Sequence, residues 1–192
     1  MLSYSGLTID DLDGMSHLYE TYLNAGAIIR GWLREGLSKP DYAGVKCTDG
    51  DMLVGVFSGR PGVEFTCGHH DIVSQIIDQW GEHTLYTTDM VIVHPDYRGQ
   101  GIARELAARF SRDLAAKGCR YLIIEEWHRK LENDVPVSGV LKYMGKYEIF
   151  GEYSDFYREL ERYDMTCPEC GTTCRCGAVV CVIDVNQPHI TI

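Results

Sequence analysis

The feature that most constrains the fold is a strand, a helix and a second strand that follow one another in the middle of the chain. Leu85–Val93 is rich in residues that favour strands. Residues 101–117 repeat apolar side chains at helical spacing, and Gly118 is a natural end for this helix. Tyr121–Ile124 is an apolar run, as expected for a strand covered on both faces. This order predicts a parallel, right-handed βαβ unit.

Further elements are predicted on both sides of this unit from periodicity and turn residues. They are helices at residues 11–24, 25–36 and 137–146, a hairpin of Tyr42–Cys47 and Met52–Ser58, and strands at Tyr147–Glu159 and Ala178–Val185. Residues 59–84, which contain structure-breaking glycines and a proline, are interpreted as an inserted segment. All 192 residues are assigned to a single domain, a size typical of one hydrophobic core.

The charge balance limits the partners that this chain can have. It contains 18 Lys and Arg against 28 Asp and Glu, for a formal net charge of −10. Such a balance argues against a general nucleic-acid binder and favours cationic or amine-bearing ligands. The N-terminus lacks the features of a signal peptide, and no stretch approaches the roughly 18 apolar residues of a membrane span. We therefore expect a cytoplasmic protein without a membrane partner.

The most informative motif is the turn between the first strand and the helix of the βαβ unit, Arg98-Gly99-Gln100-Gly101. Glycines permit a tight turn and a close approach of backbone to ligand, and a helix N-terminus offers unpaired N–H groups. Together they predict a site for a pyrophosphate. The GxxxxGK[ST] pattern of a Walker loop is absent, and the final glycine of a dinucleotide-binding loop is missing.

The longer pattern, Val-x-Pro-x-x-Arg-Gly-x-Gly-Ile-Ala after a strand, resembles the acetyl-CoA motif of the GNAT acetyltransferase superfamily. The family signature, Arg/Gln-x-x-Gly-x-Gly/Ala, falls on Arg98, Gly101 and Ala103. Two helices and a hairpin ahead of the motif also match the family's order of elements. The resemblance implies an α/β (α+β) fold with a mixed central sheet, mostly antiparallel with one splayed parallel pair, flanked by helices.

In this family the two strands of the parallel pair splay apart and coenzyme A enters the gap. The resemblance implies that backbone groups near Val91 and Val93 hold the pantetheine arm, while N–H groups of the glycine turn hold the pyrophosphate. The cofactor-binding residues expected on this basis are Val91, Ile92, Val93, Arg98, Gly99, Gln100, Gly101, Ile102, Ala103 and Asn133. Acetyl-CoA would be the co-substrate, with its thioester facing an incoming amine.

Direct acyl transfer to an amine needs a base, a donor to the oxyanion and an acid for the leaving thiolate. Glu125 and Glu126 end the second strand of the pair. A Glu at this place is the base in the ribosomal-protein alanine acetyltransferase branch, which the chain resembles. Glu125 is the better match, and only one of the two can face the gap because adjacent strand residues point to opposite faces. Asp89 is the alternative base. The family's acid corresponds to Tyr143, or to Lys142 in the other register.

A second candidate site lies in the C-terminal quarter, where two cysteine knuckles predict a structural Zn²⁺ with a closed Cys₄ shell. The predicted ligands are Cys167, Cys170, Cys174 and Cys176. Cys181 is an alternative ligand, and an iron–sulfur cluster is an alternative metal centre. Residues 163–177 are interpreted as a zinc-ribbon-like insertion in the final hairpin, where Phe150–Tyr157 resembles the late strand of protein N-terminal acetyltransferases. The Cys67–His70 segment holds a weaker ligand set, for which no fourth partner is evident.

The predicted function is that of a CoA-dependent N-acyltransferase. The acetyl group of acetyl-CoA would pass directly to a primary amine, on a small molecule, a protein N-terminus or a lysine. Two alternatives remain open at this point. One is a non-catalytic acyl-CoA-binding regulatory domain, and the other is a protein-interaction module that uses the zinc loop. A homodimer is compatible with the sequence.

Overall fold

A seven-stranded sheet organises the structure, a computed structural model that describes residues 1–128 and 140–187. The strands of this sheet, in their spatial order, are β1 (Leu2–Gly6), β3 (Ala43–Asp49), β4 (Met52–Pro61), β5 (Leu85–Val93), β6 (Tyr121–His128), β9 (Gly177–Asp184) and β7 (Lys146–Tyr153). The helices are α1 (Leu12–Tyr22), α2 (Ile29–Leu37), α3 (His70–Trp80) and α4 (Ile102–Ala116). A second, two-residue pairing joins β2 (Ala25–Gly26) to β8 (Met165–Thr166).

The predicted fold class is confirmed. Within the described residues β5 and β6 are the parallel neighbours of the main sheet, and its other strand pairs are antiparallel. The βαβ unit is also as predicted, since β5 has the expected bounds and α4 spans all but the ends of residues 101–117. Gly118 follows α4 with a φ of 80°, the left-handed conformation that suits a glycine at a helix end.

Several boundaries differ from the sequence predictions. The helix expected at 25–36 begins only at Ile29, because Ala25 and Gly26 pair with β8 from the far end of the chain. The strand expected at Tyr147–Glu159 ends at Tyr153, and Asp155 turns the chain with a φ of 52°. Residues 59–61, placed in the inserted segment, are the end of β4. These differences arise from pairing between distant segments, which local periodicity does not report.

Two further comparisons with the sequence predictions concern strand β1 and the segment before β7. The edge strand β1 was not predicted, because a five-residue strand with alternating serines carries a weak pattern. Most of the helix expected at 137–146 lies outside the described residues. The described part is helical at Val140 and Leu141, and β7 has begun by Lys146.

The sheet carries a separate apolar core on each face. On one face α4 packs against the sheet, and the ring of Phe110 on α4 stacks on that of Phe57 on β4 with centroids 4.4 Å apart. On the other face α1, α2 and α3 cover a larger cluster that also includes buried cysteines of the C-terminal loop. Each face of every central strand is therefore covered. In the described part of the chain, no helix has both the length and the apolar character needed to cross a bilayer.

The splayed pair predicted from the family resemblance is present. β5 and β6 are in register only at three positions, Leu85 with Tyr121, Tyr86 with Leu122 and Thr87 with Ile123. Beyond these positions each strand continues and pairs only with its outer neighbour, β4 or β9. The centre of the sheet is therefore open along the second half of β5 and β6.

Candidate active site

The opening between β5 and β6 is a cavity of about 940 Å³ that reaches both faces of the sheet. From the α4 face it is lined by Phe57, Val93, Arg98 and Ala103. From the opposite face it is lined by residues of α1, α2 and the segment before α3. One cavity therefore connects the glycine turn with the interior of the α1–α3 face.

The turn before α4 has the backbone geometry of an anion site. Gly99 and Gly101 have φ values of 76° and 80°, a region that side chains with a Cβ rarely adopt. The N–H of Glu105 makes the first hydrogen bond of the helix, to the carbonyl of Gly101. Among the described residues, the N–H groups from Gly99 to Arg104 have no backbone acceptor, so they are available to a ligand. The side chain of Ile102 is buried in the core, so only its backbone can contribute.

The exposed backbone of β5 lies next to this turn. His94 donates its N–H to the carbonyl of Val54 on β4, so the backbone groups of Val91 and Val93 point away from β4. The carbonyl of Val93 accepts a hydrogen bond from Arg98 Nε at 3.1 Å. The strand and the turn are thus held together by Arg98 at the entrance to the cavity.

Glu125 lies on the α1–α3 side of the cavity and lines it. Its carboxylate accepts a hydrogen bond from the backbone N–H of Thr66 at 2.9 Å, and the Tyr157 hydroxyl is a further hydrogen-bonding partner. Burial raises the pKa of Glu125 above its ordinary value, although the hydrogen bonds from Thr66 and Tyr157 oppose this shift. A carboxylate with a raised pKa, held at the wall of a cavity, has the properties of a general base.

Glu126 points to the opposite face of β6. It follows Leu122 and Ile124 in the strand alternation, and these two belong to the α4-side core. It also lines the cavity, and burial raises its pKa to about 8. The two adjacent carboxylates therefore reach one cavity from opposite faces of the sheet.

Asp89 occupies a bulge in β5. In the register with β4, Met90 pairs with Ser58 and Thr88 pairs with Gly59, so Asp89 is the extra residue. Its carboxylate accepts three hydrogen bonds from the guanidinium of Arg60, at 2.8–3.0 Å. Both side chains are nearly inaccessible to solvent. This carboxylate is engaged by a buried cation, which leaves Glu125 as the better placed of the two predicted bases.

The tyrosine that the sequence predicts as the acid does not line the cavity in the described structure, whereas another tyrosine does. Tyr143 is 39% exposed, lies under the guanidinium of Arg104 at 5.1 Å from the ring centroid, and is not among the described residues that line the cavity. Tyr157, which the sequence analysis did not single out as catalytic, is buried and lines the cavity beside Glu125. Its only sequence signal is its position in the segment that resembles protein N-terminal acetyltransferases. Asn133 lies outside the described residues.

The four predicted metal ligands converge. The sulfurs of Cys167, Cys170, Cys174 and Cys176 all lie within 4.8 Å of one another. Cys176 Sγ is 3.7 Å from Cys170 Sγ and 4.0 Å from Cys167 Sγ. A tetrahedral zinc–thiolate centre, with bonds of about 2.3 Å, has sulfurs about 3.8 Å apart. The donor set therefore fits a tetrahedral cation. Cys181 belongs to the α4-side core and is not part of the cluster.

Local backbone contacts build the cysteine cluster. Cys167 and Gly171 exchange two backbone hydrogen bonds, and Gly171 has a φ of 77°. A hydrogen bond from the backbone N–H of Arg175 lowers the pKa of the Cys170 thiol, whereas burial raises that of Cys174. A bound cation would offset the cost of burying thiolates together.

The cysteine loop is also connected to Glu125 through packed residues. The N–H of Tyr157 lies 3.4 Å from the carbonyl of Cys176. The carbonyl of Phe156 hydrogen-bonds His69 Nε2 at 2.9 Å, and the two rings stack with centroids 3.8 Å apart. His69 is the N-cap residue of α3 and lies three residues after Thr66, whose N–H donates to Glu125. The loop thus supports the segment that holds the carboxylate, and His69 is occupied by Phe156 rather than by a metal set with Cys67.

Comparison with known proteins agrees with this geometry. Residues 64–137 match the family model of the acetyltransferase (GNAT) domain. No curated protein matches the sequence. The chain is similar in structure to the ribosomal-protein-S18-alanine N-acetyltransferase of Escherichia coli, with a TM-score of 0.62 at 15% identity over 100% of this chain and 99% of that one.

Two further structural neighbours were solved with the coenzyme. The NAA60 protein of Arabidopsis thaliana, in complex with acetyl-CoA, matches with a TM-score of 0.64 at 15% identity over 97% of this chain and 100% of that one. An aminoglycoside 6'-N-acetyltransferase complexed with coenzyme A matches with a TM-score of 0.63 at 14% identity, over 95% and 97%. At these identities the likeness establishes the fold.

The two ends of α4 provide a matched test of the anion site. Gly101 and Gly118 both have a φ of 80°, and a Cβ at either would meet open space in the described structure. Alanine at either position costs about 1–2 kcal/mol of backbone strain. We expect Gly101→Ala to raise the Kd for acetyl-CoA about tenfold, since relief of this strain rearranges the N–H groups. Gly118→Ala should lose comparable stability and leave the Kd unchanged. Titration calorimetry measures the Kd, and equal affinities for the two variants would contradict the assignment.

Proposed function

We propose that this protein, which contains a GNAT acetyltransferase domain, transfers the acetyl group of acetyl-CoA to a primary amine by direct attack of the amine on the thioester. One observation carries the proposal. The cavity between β5 and β6 joins the anion-binding turn before α4 to the carboxylate of Glu125 on the opposite face. A co-substrate held at the turn and an acceptor held at Glu125 would meet inside the sheet.

The co-substrate is bound mainly by backbone groups. The available N–H groups of the turn, from Gly99 to Arg104, bind the pyrophosphate, supported by the positive end of the 15-residue helix α4. The amides of the pantetheine arm pair with Val91 and Val93, as an added strand would. This mode of binding needs an open strand edge, which the short register of β5 with β6 provides.

Glu125 is the proposed base. It removes a proton from the bound ammonium, and the free amine attacks the thioester carbonyl. In the tetrahedral intermediate the nitrogen loses a second proton to solvent, the C–S bond then breaks, and the amide and the CoA thiolate are formed. The raised pKa of Glu125, caused mainly by burial, makes it a stronger base than an ordinary glutamate. Asp89 is the weaker candidate because Arg60 holds it.

Glu126 is the proposed acid for the thiolate. It reaches the cavity from the α4 face, the face on which the coenzyme enters, and with a pKa of about 8 it is protonated at neutral pH. The earlier candidate, Tyr143, remains a prediction, but it has no described contact with the cavity. The proton removed by Glu125 returns to solvent, and Glu126 is reprotonated after CoA departs.

A structural zinc ion is the proposed occupant of the cysteine cluster. Cys167, Cys170, Cys174 and Cys176 would hold it as a closed Cys₄ set, which leaves no position for a reacting group. Its contribution is to the folding of the C-terminal loop. A zinc site made of four thiolates would suit the proposed cytoplasmic location, because that compartment is reducing.

The two alternative functions are less well supported. A non-catalytic acyl-CoA-binding domain would not need a carboxylate on the acceptor side of the gap, yet Glu125 lines the cavity there. An interaction module acting through the cysteine loop would not need that loop to pack behind Glu125, as it does through Phe156 and His69. Retention of partner binding without any acetyl transfer would favour these alternatives.

The first test concerns the base. We expect Glu125→Gln to lower kcat by about 10²–10⁴-fold, the range of general base catalysis. The Kd for acetyl-CoA should change little, because the carboxylate lies on the other face from the turn. Glu148→Gln, at an exposed carboxylate on β7, is the control and should behave as the wild type. Release of CoA thiol gives the rate, and a Glu125→Gln variant within threefold of the wild type would rule out this role.

The second test uses pH to separate the two carboxylates. Since Glu126 has a pKa of about 8, we expect kcat to fall as the pH rises through about 8, where the acid loses its proton. Glu126→Gln should lower kcat about 10²-fold at neutral pH and remove this alkaline limb. The fall of kcat at acidic pH, which we assign to protonation of Glu125, should remain in this variant. Its midpoint should lie above the ordinary pKa of a glutamate. An unchanged alkaline limb in Glu126→Gln would assign the acid to another group.

The third test concerns the metal. We expect about one zinc per chain by elemental analysis of protein purified without added metal. Cys170→Ser should lose the metal and become sensitive to protease near residues 167–176, while Cys181→Ala should keep it. Acetyl-CoA binding should survive in both variants, because the turn lies away from the loop. Four freely titratable thiols and no metal in the native protein would disprove the zinc assignment.

A further inference from the structure

The acceptor half of the cavity, meaning the part on the α1–α3 side of the sheet, has a distinctive lining. Seven aromatic side chains contribute to it, namely Tyr19, Tyr22, Trp32, Phe65, Trp127, Tyr157 and Tyr163. Aliphatic and thioether groups fill much of the remaining wall, including Ile28, Val73 and Met165. An acceptor that enters here exchanges water for a mostly apolar surface.

The fixed charges of this half are almost all negative. Glu125, Glu64 and Asp89 line it, and Arg60, which is not itself among the lining residues, pairs with Asp89 at 2.8 Å and with Glu64 at 3.8 Å. The guanidinium of Arg60 is further engaged by the ring of Trp32, at 4.1 Å from the centroid. Among the described residues that line the cavity, the basic side chains are those of Arg98 and His70. Arg98 lies at the coenzyme end, and His70 lies at the exposed rim.

We propose that the acceptor is a primary ammonium carried on an aromatic or branched aliphatic skeleton, with no carboxylate next to the amine. This inference rests on the proposed acetyl transfer and adds the substrate class. The ammonium pairs with Glu125 and the skeleton lies against the aromatic wall, where a cation near aromatic faces gains further stabilisation.

The same lining rejects other amines. An α-carboxylate in the acceptor half would lose its hydration and meet carboxylates without a free cation to pair with, so free amino acids are disfavoured. Polyamines and hydroxylated amines would have to bury polar groups against aromatic side chains, at a cost in desolvation. Both a free small amine and a polypeptide that begins with an apolar residue present the favoured chemistry.

The experiment compares amines with matched skeletons on the wild-type protein. Binding is measured by calorimetry in the presence of CoA, which cannot react, and turnover is measured as thiol release from acetyl-CoA. The panel consists of 2-phenylethylamine, 3-methylbutylamine, L-phenylalanine, ethanolamine and spermidine. Two tripeptide amides that begin with Phe or with Glu form a second arm, which separates a polypeptide source from a small amine.

We expect 2-phenylethylamine to exceed L-phenylalanine at least about tenfold, both in affinity and in kcat/KM, and to exceed ethanolamine and spermidine similarly. The peptide that begins with Phe should exceed the one that begins with Glu. A higher kcat/KM for that peptide than for the small amines identifies a polypeptide as the acceptor, and the reverse identifies a small molecule. Equal use of L-phenylalanine, ethanolamine or spermidine would overturn the inference while leaving the acetyl transfer established.

A pair of surface variants tests the lining directly. Ile28 is 42% exposed at the edge of the cavity, and Ile149 is 53% exposed on β7, outside it. Ile28→Lys should lower kcat/KM for 2-phenylethylamine several-fold and raise the relative use of L-phenylalanine, because it adds a cation to the acceptor half. Ile149→Lys should leave both unchanged.

The binding and turnover arms separate the two hypotheses. Selective binding of 2-phenylethylamine without any turnover would refute the proposed reaction and support the inferred ligand class. Turnover with no preference among the amines would support the proposed reaction and refute the inferred ligand class. An absence of measurable binding for every apolar amine and for the Phe peptide would overturn the inferred class.

Discussion

The buried pair of Arg60 and Asp89 is the interaction on which the open sheet depends. Asp89 is the extra residue of a bulge in β5, and the guanidinium of Arg60 on β4 satisfies its carboxylate with three hydrogen bonds. Loss of one partner from such a pair leaves an unpaired buried charge, which costs about 3–5 kcal/mol. The pair therefore fixes the bulge close to the point where β5 and β6 separate.

The separation of β5 from β6 has two consequences that a closed sheet would not permit. It leaves strand-edge backbone groups of β5 facing a cavity, and it connects the two faces of the sheet. Unpaired backbone groups in a protein interior are costly unless a partner satisfies them. A ligand with amide groups along its length is suited to complete them, which relates the fold directly to the use of coenzyme A in the proposed reaction.

The two adjacent carboxylates show how strand geometry can assign different roles to like residues. Glu125 and Glu126 are neighbours in sequence, but alternation directs them to opposite faces of β6. Glu125 receives hydrogen bonds that favour its charged form, whereas the raised pKa of Glu126 has burial as its cause. Hydrogen bonds from Thr66 and Tyr157 therefore oppose the rise that burial causes in the pKa of Glu125. The cysteine loop takes part in this arrangement, since it positions Tyr157 and, through Phe156, the start of α3.

The sequence by itself determined the βαβ unit, the glycine turn and the cysteine cluster, because each depends on residues that are close along the chain. Left-handed glycines, a helix N-terminus and paired knuckles are local features with strong patterns. Only the tertiary structure decided that Asp89 is held by Arg60, that Tyr157 lies beside Glu125 while Tyr143 is exposed, and that β2 pairs with β8. These depend on contacts between segments tens of residues apart, whose register is set by packing and by the bulge rather than by local periodicity.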